Sequence, residues 1–147
     1  MTLTGCGGAV RPHATPPPAD RQWMSNAGNL IDQLRGDVVL TWNAGGTLPE
    51  ARRALGNDSD LYALLLAYTD FGGCGKMLSG LGSPSTKLTP VKADLVSACG
   101  HLERASTLFT RSAKNTDPKA LLAATRQALE AKPILYRAGF QLAAARL

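Results

Sequence analysis

Apolar residues recur at steps of three and four along most of this 147-residue chain, and this periodicity limits the folds open to it. Such spacing places one apolar stripe on a helix, whereas a half-buried strand needs apolar residues at every second position. Alanine and leucine are abundant and only 5% of residues are aromatic, which favours helices packed through small side chains. We therefore predict an all-α protein, with Trp23 and Trp42 completing its core.

Four segments carry the apolar stripe, and turn signals separate them. The predicted helices run from about 20 to 42 and from 60 to about 81, and two more begin at Thr89 and Asp117. Both of the later starts pair a capping side chain with a following proline, which the first turn of a helix tolerates. Four amphipathic helices joined by short turns predict an antiparallel four-helix bundle.

Two local signals add detail to this bundle. Thr47 can cap a short extra helix while Glu50 reaches back to it in a capping box. Near the other end of the chain, Pro133 is expected to kink the last helix or to split it at Lys132, because proline lacks the backbone N–H that a helix interior needs. The prediction is therefore four main helices, one short extra helix and one interruption.

Cys74 and Cys99 lie at nearly equal distances on either side of a predicted turn near residue 86. Antiparallel helices would then carry the two sulfurs at one height. A disulfide needs Cα atoms within about 7 Å, closer than the usual 8 to 10 Å between helix axes, and neighbouring glycines permit that approach. We predict an interhelical disulfide; two buried reduced thiols are the alternative.

Three glycines interrupt the second predicted helix beside Cys74. Together Gly72, Gly73 and Gly75 would cost roughly 2 to 3 kcal/mol of helix propensity relative to alanine, so the helix must break here or gain compensation. The missing side chains also leave room between helices. Phe71 and the three glycines therefore form a candidate ligand cleft for a small molecule or a metal.

The sequence contains no recognisable catalytic or metal-binding motif. Cys99 and His101 would point about 200° apart on a helix, so they cannot share a metal ion, and His101 is expected on the surface or in an interhelical hydrogen bond. The chain has no Gly-x-Ser-x-Gly motif, and Lys76 lacks the spacing of a Walker phosphate loop. We expect neither an enzyme nor a resident cofactor or metal.

The formal charge of +5 does not indicate a nucleic-acid partner. The 16 basic residues are scattered singly or in pairs such as Arg52 and Arg53, without a run that would grip phosphates. Asp70, beside the glycines, is expected on a polar face in an ion pair with Lys76 or Arg104. These charges indicate a solvated surface.

Leu3-Thr4-Gly5-Cys6 resembles the lipobox of bacterial lipoproteins, in which leucine stands three residues before the cysteine and small residues lie next to it. The resemblance implies that Cys6 becomes the mature N-terminus and carries lipid on its sulfur and amine. Residues 7–19 contain four prolines and two glycines, which is typical of an extended tether. Because only Met1 and Thr2 precede the motif, a basic and apolar signal segment is expected upstream.

These features divide the chain into a truncated lipobox and tether over 1–19 and a helical bundle domain over 20–147. They predict an exported, extracytoplasmic lipoprotein, held on the cell membrane through lipid on Cys6, that binds an envelope protein without catalysing a reaction. The alternative function is a small-molecule or metal carrier that binds between helices near Gly72–Gly75. A cytoplasmic chain with a chance match to the lipobox is the competing interpretation of the first residues.

Overall fold

The computed structural model describes residues 16–146, and almost all of them belong to helices. This range contains no β-strand, in agreement with the predicted all-α class. In chain order the elements are α1 (Pro18–Gly45), α2 (Leu48–Leu55), α3 (Asp58–Gly72), α4 (Cys74–Gly80), a 3₁₀ turn (Thr86–Leu88), α5 (Thr89–Asn115), α6 (Pro118–Glu130) and α7 (Lys132–Arg146).

The helices form the predicted antiparallel four-helix bundle. Helix α1 packs against α3 on one side and against α6 and α7 on the other, and α5 packs against the same neighbours and against α4. Helices α1 and α5 therefore lie on one diagonal of the bundle. The short helix α2 rests on α1, α3 and α6, so the predicted extra helix is also confirmed.

Local signals set several helix ends as expected. Thr47 Oγ1 accepts a hydrogen bond from the backbone N–H of Glu50 at 3.3 Å and caps α2. Asp117 Oδ1 accepts from the N–H groups of Lys119 and Ala120 at 3.0 and 3.3 Å and caps α6. Thr89 is an exception, because it already has helical φ and ψ and follows directly on the 3₁₀ turn. Its backbone N–H donates to the Thr86 carbonyl, so its predicted role as a side-chain cap is wrong.

The predicted interruption near Pro133 is present, and of the two outcomes left open at the glycine cluster the break is the one observed. The segment expected as one helix from 60 to about 81 divides at Gly73 into α3 and α4, so the glycine cluster breaks the helix. The last predicted helix divides at Ala131 into α6 and α7, two residues before Pro133. In both places the chain turns without leaving the bundle, because α4 and α7 still pack on α5.

Aromatic side chains show where the predicted core is right and where it is wrong. Trp23 is 2% exposed, as expected, and Tyr68 stacks on Phe109 with ring centroids 4.4 Å apart. Trp42, however, is 42% exposed, so its predicted place in the core is wrong. The stripe of α1 continues instead through Thr41 to Gly45, and Thr41 lies one residue and about 100° around the helix from Trp42.

Candidate functional site

Cys74 and Cys99 form the predicted disulfide, with an S–S distance of 2.09 Å and Cα atoms 5.2 Å apart. Cys74 is the first residue of α4, and Cys99 lies within α5. Both residues are buried in the core. The break at Gly73 therefore places the start of α4 where its sulfur meets the sulfur on α5.

The candidate ligand cleft at the glycines is occupied by side chains of α5. A Cβ atom on Gly72 would lie 2.8 Å from Ser106 Oγ, and one on Gly75 would lie 3.1 Å from Glu103 Oε2. Phe71 is fully buried in the core. The glycines thus permit the close approach of α5, and these contacts do not favour a cleft. The carrier function stays a prediction, and the predicted lipidation site, Cys6, lies outside the described residues.

His101 links two helices. Its Nδ1 lies 2.9 Å from Gln127 Nε2 and 3.3 Å from Glu130 Oε2, both on α6, and 3.1 Å from Arg104 Nη2 on its own helix. This is the interhelical hydrogen-bonding position that the sequence indicated. Among residues 16–146 no group of three or more His, Cys, Asp or Glu side chains could hold a metal ion.

Asp70 faces a like charge instead of the predicted lysine or arginine. No ion pair within residues 16–146 joins it to Lys76 or Arg104, and its neighbour across α1 and α3 is Asp37. Burial, followed by a hydrogen bond to Asp70 and its negative charge, raises the pKa of Asp37 from 3.8 to about 8. Asp37 Oδ2 is enclosed and has no donor among the described residues, whereas a proton on it could bridge to Asp70.

A groove between α1 and α7 is a concave surface lined by both charged and aromatic side chains. It consists of two adjoining cavities of about 530 and 420 Å³, and Asp32, Arg35 and Tyr136 line both. We call this surface the α1/α7 groove. Its volume falls in the range typical of ligand pockets, about 300 to 1,000 Å³.

Glycines keep the α1/α7 groove open. Gly28 and Gly36 on α1 and Gly139 on α7 all line it. A Cβ atom on Gly36 would have no other atom within 4 Å, and one on Gly139 would lie 3.9 Å from Ile31 Cγ2 at the floor. Larger side chains at these positions would narrow the space between the two helices.

Two arginines cross the groove. The Arg35 guanidinium lies 3.9 Å from the centroid of the Tyr136 ring, a cation–π contact between α1 and α7. Arg146 Nη2 donates to the Met24 carbonyl at 3.1 Å and passes over Gly28. Both cations are therefore held in fixed positions by groups that do not neutralise their charge.

Exposed apolar side chains flank the same groove. Phe140 is 74% exposed, and Val39 and Tyr136 are 48% and 39% exposed. Phe140 has no role predicted from the sequence, although one signal was present: it lies off the buried stripe of Leu135, Ala138 and Leu142 on α7. Phe140 is not isolated, because Tyr136 and Val39 line the same groove, and grouped exposed apolar side chains indicate a contact surface.

Comparisons of this chain with protein-family models, with curated proteins and with solved structures found no match. No residue therefore receives a role by similarity, and the candidate site depends on its own geometry. Within residues 16–146 no helix combines the length and apolar character required to cross a membrane.

Gly36→Ala should raise the free energy of unfolding by about 0.5 to 1 kcal/mol, because alanine is the better helix former and its Cβ meets open space. Denaturant unfolding monitored by circular dichroism checks the change. Gly46→Ala is the matched control and should be destabilising, since its Cβ would lie 2.5 Å from the Trp42 carbonyl oxygen. A destabilised Gly36→Ala variant would mean that the groove is closed at this point.

Proposed function

We propose that this chain is a lipid-anchored, non-catalytic binding module of the cell envelope, and that it binds a protein partner through the α1/α7 groove. The observation that carries the proposal is Phe140, which is 74% exposed at a groove between two helices. Val39 and Tyr136, 48% and 39% exposed, line the same groove, and several exposed apolar side chains along one groove are typical of a contact surface.

The lipobox resemblance and the disulfide together support a location outside the cytoplasm. Leu3-Thr4-Gly5-Cys6 supplies a lipidation motif, and the proline-rich tether after it would hold the bundle away from the membrane. The Cys74–Cys99 disulfide is of a kind that persists in oxidising compartments and is rare in the cytosol. Two features far apart in the sequence thus favour the same compartment.

Cys6→Ser should abolish incorporation of labelled palmitate into the protein, because serine cannot carry a thioether-linked lipid. The chain is expressed in its source organism from its own locus with a C-terminal tag, and the tagged protein is isolated from cells grown with the labelled fatty acid. The Cys74→Ala/Cys99→Ala variant is the control and should incorporate the label like the wild type. An unlabelled wild-type protein, or label that Cys6→Ser leaves in place, would refute the lipid anchor.

Site-directed photo-crosslinking tests the binding surface separately. A photoreactive phenylalanine analogue at position 140 should form a discrete crosslinked product in intact cells, because the proposed partner covers this side chain. The same analogue at Tyr62, which is 62% exposed on α3, is the matched control. The same products at both positions, or none at position 140, would contradict the proposed surface.

A further inference from the structure

The α1/α7 groove is long enough to hold a helix. Its lining on α1 extends from Ser25 to Val39, which at 1.5 Å per residue corresponds to about 21 Å. A partner helix of about 14 residues has the same length. The groove is also lined by Gly36 and Gly139, where missing side chains let a second backbone come close.

Apolar side chains occur at intervals along this length. Val39 lies at the end nearer α2, Tyr136 at the middle, and Phe140 beside the larger cavity. Grooves that accept an amphipathic helix present such anchors in a row, so that residues at steps of three and four on the partner can meet them. A compact small-molecule site would instead enclose its aromatic residues, and Phe140 is 74% exposed.

The charged side chains around the groove indicate which charge the polar face of the partner helix carries. Its lining contains three cationic side chains, those of Arg35, Lys132 and Arg146. It contains one carboxylate, that of Asp32. Within residues 16–146 none of the three cations forms a salt bridge. A second copy of this chain, docked groove to groove, would place the cations of the two copies next to each other, and their like charges would repel. An acidic partner would neutralise them.

We infer that the α1/α7 groove binds an acidic amphipathic helix of a partner protein, with Phe140 and Tyr136 contacting its apolar seam and Arg35, Lys132 and Arg146 contacting its carboxylates. This inference rests on the proposed function, since it names the class of partner for the same surface. It does not depend on the lipid anchor, so the two can fail separately.

A designed peptide pair tests the inference directly. The full chain carrying Cys6→Ser is titrated into a fluorescein-labelled 16-residue helix with leucines at steps of three and four and glutamates beside them. The second probe has lysine at every glutamate position. Fluorescence anisotropy at 50 mM salt should show saturable binding of the glutamate peptide, at least about tenfold tighter than the lysine peptide, and higher salt should weaken it.

Groove variants should weaken binding of the glutamate peptide, and matched surface variants should not. Phe140→Ala and Lys132→Glu are each expected to weaken it about tenfold, and Gly36→Leu should block it without destabilising the fold. Tyr62→Ala and Arg111→Glu, both exposed and outside the groove, should leave it unchanged. Circular dichroism of every variant confirms that the helices remain.

Several results would overturn the inference. Equal affinity for the two peptides, or affinity that Phe140→Ala leaves intact, would mean that the groove does not select an acidic helix. A concentration-dependent dimer in sedimentation analysis that Phe140→Ala abolishes would identify a second copy as the occupant. Binding to anionic phosphatidylglycerol vesicles that requires Phe140 and Lys132, without binding of the glutamate peptide, would identify a lipid surface. Failure of the Cys6→Ser labelling experiment alone would leave this inference standing.

Discussion

Replacement of Cys74 and Cys99 by alanine should lower the free energy of unfolding by about 3 kcal/mol, the largest effect expected from any change outside the aliphatic core. The disulfide closes a loop with a sequence separation of 25, and chain-entropy arguments assign about 3 kcal/mol to a loop of that size. Denaturant unfolding should show a lower midpoint, and calorimetry a melting temperature lower by about 8 to 12 °C.

The reduced wild-type protein is the control for this change. It retains both sulfur atoms in the core, so it separates loss of the covalent link from loss of side-chain volume. We expect reduction to account for most of the destabilisation, with little further change on replacement by alanine. A reduced protein as stable as the oxidised one would show that the bundle does not depend on the bridge.

Asp37→Asn should stabilise the protein at pH 8 and remove most of the pH dependence of its stability between about pH 4 and 8. In the folded protein burial and Asp70 raise the pKa of Asp37 to about 8, whereas in the unfolded chain it is near 3.8. An acid with a raised pKa binds its proton more tightly when folded. Its favourable contribution is therefore complete below about pH 4 and is lost as pH rises through about 8.

The expected gain for Asp37→Asn at pH 8 is about 1 to 2 kcal/mol, which allows for partial contact of this carboxyl with solvent. Asparagine cannot ionise, and its amide can donate to the Asp70 carboxylate. Unfolding by urea at pH 4, 6 and 8 measures the slope, and Asp32→Asn, an exposed carboxylate on the same helix, is the control. If the wild-type protein became more stable from pH 4 to 8 and Asp37→Asn removed that rise, folding would lower the pKa of Asp37, contrary to this prediction.

The helices and the disulfide could be predicted because their signals are local or depend on simple counting. The apolar stripe of α1, the Thr47 and Asp117 caps and the break near Pro133 each follow from residues within one or two turns. The pairing of Cys74 with Cys99 could be predicted from two antiparallel helices and the position of the turn between them. Trp42 was misplaced because helical spacing alone lets either of two adjacent residues face the core, and tertiary packing selected Thr41.

The candidate site could not be predicted in the same way. Arg35 and Tyr136 are about 100 residues apart, and nothing near either one indicates that a guanidinium will lie over that ring. Asp37 and Asp70 likewise lie on different helices, and Asp70 was expected to meet a cation. Both pairs depend on how far each helix is rotated about its axis and how deeply it packs.

The sequence by itself determined the helical class, the order of the helices, the interruption near Pro133 and the cysteine pair, and it limited the glycine cluster to a break or a compensated helix. Periodicity shows which face of each helix is apolar, and caps show where it ends, because both are properties of neighbouring residues. Only the tertiary structure decided that α1 and α7 leave a groove between them and that the partly buried carboxyls of Asp37 and Asp70 lie side by side. These features are set by the mutual packing of helices that lie far apart along the chain, and no short stretch of sequence encodes that packing.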